Sequence, residues 1–62
     1  MIDYINLIRT HRKRLNLKQT DMAERLNMNL LAYQRLEQGK TKLDVTRMME
    51  IFNILGLRID VR

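Results

Sequence analysis

A chain of 62 residues that is 45% hydrophobic is one small domain, too apolar for a disordered tail and too short for a large core. It has no cysteine and a single histidine, His11, which excludes disulfides, thiolate metal sites and a zinc centre; no cofactor or metal is expected. Twelve Lys and Arg against seven Asp and Glu give a net charge of +5, which suits a polyanionic partner such as nucleic acid, with solubility as the plain alternative. With disulfides and metals set aside, a second copy of the chain is the remaining staple for so small a core. No apolar run approaches the roughly 18 residues that span a bilayer, so no membrane partner is expected. Asp3 and Asn6 interrupt the opening apolar stretch, so it does not read as a signal peptide, and the expected location is cytoplasmic. No repeat, linker or low-complexity segment divides the sequence, and residues 1–62 read as a single domain.

Asp3 is placed to cap a first helix over residues 4–15. Ile5, Ile8 and Leu15 recur there at helical spacing, with Arg12 on much the same face. Asn16 tolerates a left-handed backbone and can stop this helix. A second, short helix fits residues 19–26, with Met22, Ala23 and Leu26 inward, and Asn27 is the next stop. Asn29 caps a third helix over residues 30–38, closed by Gly39, with Tyr33 and Leu36 inward. After the polar loop Lys40, Thr41 and Lys42, Asp44 caps a fourth helix over residues 45–55, ended by Gly56. Val45, Met48, Met49, Phe52 and Leu55 give that helix its apolar face. The period then changes to two: Leu57, Ile59 and Val61 alternate with Arg58, Asp60 and Arg62, which predicts a strand. A lone strand has unpaired backbone groups, and the sequence offers no second strand. The expected pairing is therefore with the same strand of a second copy about a two-fold axis, so residues 57–62 form a dimerisation strand in a homodimer.

Two short helices joined by a tight turn, over about residues 19–38, match a helix-turn-helix. Ala23 is small where the two helices must approach, and Asn27 occupies a turn that needs positive φ. Met28, Tyr33 and Leu36 are apolar where the second helix must dock. Plain structural readings compete elsewhere. Arg9, Lys13 and Arg14 read as a solvated face, His11 as a surface or boundary residue, and Met22, Met28, Met48 and Met49 as core. A frayed tail is the alternative to the strand. No nucleophile with an oriented base, glycine-rich phosphate loop or metal cluster is visible, so no enzyme is expected. Tyr4, Tyr33 and Phe52 are too few to stack single-stranded RNA.

The segments QTDMAERL and LEQGKTK, with Arg12, Leu17, Gln19, Met22-Ala23, Leu26, Leu36-Glu37 and Gly39-Lys40, carry a specific likeness. Residues 8–57 resemble the Cro and lambdoid-repressor type of helix-turn-helix, the xenobiotic-response-element (XRE) family. The resemblance implies an all-α, lambda-repressor-like domain whose third helix enters the major groove of double-stranded DNA. It implies dimers reading two half-sites about one helical turn apart, as a transcription regulator and most simply a repressor. By position, Asn29, Leu30, Leu31, Gln34 and Arg35 fall where family members face base edges or the adjacent backbone. Gln19 matches a glutamine that contacts phosphate, and Lys40, Thr41 and Lys42 match a phosphate-binding loop. Arg12 and Glu37 match a pair that forms a buried salt bridge.

The sequence also departs from the family pattern. Leu30 and Leu31 replace residues that are usually polar; they can meet thymine methyls or a protein partner. Lys18 stands where a capping Ser or Thr is usual. The strand at residues 57–61 replaces the usual fifth helix and is similar to HipB-type antitoxins. The alternative function is therefore an antitoxin that holds a toxin protein and represses its own operon.

Overall fold

The computed structural model describes residues 3–57, which contain four α-helices: α1 (Tyr4–Arg14), α2 (Gln19–Arg25), α3 (Leu30–Glu37) and α4 (Val45–Ile54). Three begin with the caps expected from sequence. Asp3 accepts from the Asn6 amide at 3.1 Å, Asn29 from Ala32 at 2.8 Å and Asp44 from Arg47 at 2.7 Å. Each such cap contributes about 1 kcal/mol by satisfying an amide that the helix cannot. Lys18, at the start of α2, has no side-chain oxygen to offer. The Asp21 carboxylate instead reaches back to accept the Lys18 amide at 2.7 Å and places negative charge at the helix N-terminus.

All four helices end in one way. Asn16, Asn27, Gly39 and Gly56 take positive φ of 57°, 56°, 73° and 71°. Each donates its amide to the carbonyl three residues back, and the following residue donates to the carbonyl five back: Leu17 to Arg12, Met28 to Ala23, Lys40 to Arg35 and Leu57 to Phe52, at 2.8–3.0 Å. This is the Schellman closure, which satisfies carbonyls left free at a helix C-terminus. Leu17, Met28 and Leu57 then pack against the core, whereas Lys40 is exposed. Each helix is one residue shorter than expected, because Leu15, Leu26, Gln38 and Leu55 serve as the capping residues.

The core is formed by Ile8, Met22, Ala23, Leu26, Tyr33, Leu36, Ile51, Phe52 and Leu55. α3 lies centrally and packs on both α2 and α1. Arg47 of α4 donates to the Leu26 carbonyl at the end of α2, at 3.3 Å, and the Tyr4 ring sits 6.2 Å from that of Phe52. Three expected core residues are corrected. Leu15, beyond the last turn of α1, is 50% exposed, and Val45 and Met49 are 66% and 58% exposed. The inward stripe of α4 runs through Met48, Ile51, Phe52 and Leu55, at i, i+3, i+4 and i+7, which turns Met49 aside.

The Leu57 amide completes the closure of α4 and its side chain packs on the core. Ile59 and Val61, and the expected strand they would form, lie outside the described residues. Among the described residues, no helix is long and apolar enough to cross a membrane.

Candidate nucleic-acid interface

α3 has two distinct sides. Tyr33, Leu36 and Glu37 face inward and are buried. Leu30, Leu31, Arg35 and Gln38 are exposed on the other side, and Gln34 lies half-buried between them. Lys40, Thr41 and Lys42 follow in an exposed loop. Over residues 29–43 the charged side chains are Arg35, Glu37, Lys40 and Lys42; because Glu37 is buried, every exposed charge is positive. The side of α3 turned away from the core is thus a cationic surface with an apolar leading turn.

The inner side is anchored by one carboxylate. The Arg12 guanidinium donates to both Glu37 oxygens, at 2.6 Å and 3.1 Å, and to the Leu17 carbonyl at 2.8 Å. Arg12 and Glu37 are 7% and 2% exposed, so the expected salt bridge is a buried, bidentate pair. Burial opposes the charge on Glu37, but the Arg12 guanidinium outweighs it and holds the carboxyl below the usual glutamate range. Arg9, read from sequence as part of a solvated face, donates to the Glu37 carbonyl at 2.6 Å and so caps the end of α3. Its guanidinium also approaches the Glu37 carboxylate at 3.9 Å, with the side chain 42% exposed.

A hydrogen-bonded chain runs outward from the same carboxylate. Gln19 donates to Glu37 at 3.4 Å, and Gln34 donates to the Gln19 carbonyl oxygen at 3.2 Å. A carboxylate can only accept, so Gln19 must turn its NH₂ inward and its oxygen towards Gln34. Gln34 must then present its own NH₂ to Gln19, which leaves its oxygen directed elsewhere. Two of the residues singled out from sequence, Gln19 and Gln34, are thereby tied together and to the buried pair. The Asn29 oxygen is engaged in the cap of α3. Leu30, Leu31 and Arg35 are free at the surface of the helix.

Tyr33 is fully buried beside this network, and its hydroxyl finds no hydrogen-bond partner among the described residues. Burial, together with the nearby Glu37 charge, pushes the phenol far above its usual range. The hydroxyl lies close enough to the Glu37 carboxylate for each group to affect the other's ionisation. Tyr33→Phe, read from urea unfolding, separates the two roles: lost stability means that the hydroxyl bonds to Glu37, and a gain means that it is buried without a partner.

No curated protein and no solved structure gives a significant match to this chain. The helix-turn-helix family matches over residues 8–61, which take in α2, α3, the basic loop and the Arg12–Glu37 pair. The chain belongs to that family, the DNA-binding helix-turn-helix of the Cro and lambdoid-repressor (XRE) type.

Proposed function

We propose that the protein is a transcriptional repressor that binds a palindromic site on double-stranded DNA as a homodimer, with α3 in the major groove. The observation that carries this reading is the division of α3. Its inner side is fixed to the core through Tyr33, Leu36 and Glu37, and its outer side is exposed and cationic through Arg35 and the following lysines. Arg35 is the group with the reach and geometry for a base edge, most favourably guanine. Lys40, Thr41 and Lys42 meet backbone phosphates, and Gln19 offers its second amide hydrogen to another. Asn29 and Gln34 hold the helix and Gln19 in place, with the Gln34 oxygen still able to accept. Occupancy of the site is enough to repress, and no bound cofactor enters this scheme.

Binding measured across a range of salt separates these roles. Lys42→Ala is expected to weaken all duplexes alike and to reduce the log–log salt slope by about one. Arg35→Ala is expected to relax preference at one base position by about 1–3 kcal/mol. If neither substitution changes binding, α3 and its loop are not the DNA surface. The antitoxin alternative draws on residues 57–61, and co-purification with the product of an adjacent gene would favour it.

A further inference from the structure

We propose that Leu30 and Leu31 read thymine through its 5-methyl group, at the end of the half-site met by the first turn of α3. This inference rests on the DNA-binding reading above and specifies the base chemistry of that surface. Leu30 is 38% exposed and Leu31 56%, and Leu31 stands one turn before Arg35 on the same face. The polar groups nearest in sequence are largely engaged: the Asn29 oxygen accepts from Ala32, and the Gln34 NH₂ donates to Gln19. The leading turn of the helix therefore presents methyl groups where a hydrogen-bonding reader would present donors or acceptors.

The surroundings select the occupant. The exposed charges of residues 29–43 are all positive, so a partner that lies along the whole of α3 and its loop also meets Arg35, Lys40 and Lys42. A DNA duplex supplies phosphates for the cations and, in the major groove, one apolar group: the thymine methyl. Cytosine, guanine and adenine present no such group, so apolar contact distinguishes thymine without any hydrogen bond. Two adjacent leucines at the start of one helix make a patch wide enough for one or two neighbouring methyls in each half-site.

The test uses the intact chain and a duplex selected by it from a random library. Each thymine of the selected site is replaced in turn by uracil, which lacks only the methyl. For the native chain, uracil at the contacted positions is expected to weaken binding about fourfold per methyl removed. For Leu31→Ala, and for Leu30→Ala at its own position, the thymine–uracil difference is expected to fall below about 1.5-fold. Both leucines are exposed and alanine favours helix, so circular dichroism should show the fold retained. Equal affinity for the thymine and uracil forms would overturn the methyl reading while the Lys42→Ala salt effect kept the DNA reading intact. Discrimination that survives both leucine substitutions would also overturn it and leave the leucines to a protein contact. Failure to select any duplex, together with a missing salt effect, would remove both readings.

Discussion

Glu37→Gln is expected to destabilise the domain by about 3–5 kcal/mol. Glutamine keeps the shape of the side chain but removes the charge that balances Arg12, itself only 7% exposed. The guanidinium would remain buried with no counter-ion, and Arg9 and Gln19 would lose part of their partner. A domain of this length has about 3–9 kcal/mol of stability in all, so the loss removes a large share of it and should lower the unfolding midpoint by at least about 12 °C. Thermal unfolding followed by far-ultraviolet circular dichroism reads this directly. The double variant Arg12→Met with Glu37→Leu is expected to recover most of the loss, because it removes both charges rather than stranding one. A single-variant cost below about 1 kcal/mol would mean that water reaches the pair.

The same carboxylate dictates an acid dependence. Its pKa is lowered in the folded state, so the unfolded chain takes up the proton first as pH falls. The stabilisation is present at neutral pH and is lost as pH drops through the ordinary glutamate range, about 4.3, towards the lowered folded value. Stability of Glu37→Gln should lack that component of the acid response.

The second large effect concerns assembly. A chain ending at Leu57 is expected to sediment as a monomer and to bind a palindromic duplex about 100-fold more weakly, because two linked half-sites act together and a single one does not. The helix-turn-helix itself should be intact, since Leu57 still closes α4 and packs on the core. Unchanged sedimentation would take residues 58–62 out of the interface. Val45 and Met49, both exposed on α4, would then be the next residues to replace.

What was legible in the sequence was the chemistry that acts over three to five residues. Asp3, Asn29 and Asp44 begin helices because their oxygens reach an amide three positions on, and Asn16, Asn27, Gly39 and Gly56 end them because they tolerate positive φ. The Arg12–Glu37 pair spans 25 positions and was reached through family resemblance rather than spacing. The Gln19–Gln34 bond and the capping of α3 by Arg9 left no periodic trace, since both join polar residues from separate helices. The face of α4 was misplaced for a different reason. Val45, Met48, Met49, Ile51, Phe52, Ile54 and Leu55 surround the helix with apolar groups, so periodicity alone cannot fix which side turns inward. The Asp21 bond to Lys18 uses an acceptor at the third helical position rather than at the cap itself, where a capping oxygen is expected.

The repeated closure of the helix ends bears on how fast the chain becomes ordered. Each stop signal is completed by bonds between residues no more than five apart, so every helix can define its own limits before it meets another. Little loop-closing entropy stands in the way, which places the domain among rapid folders, with relaxation in microseconds to milliseconds. Ordering of the domain would then be complete long before a search along a genome could find one DNA site.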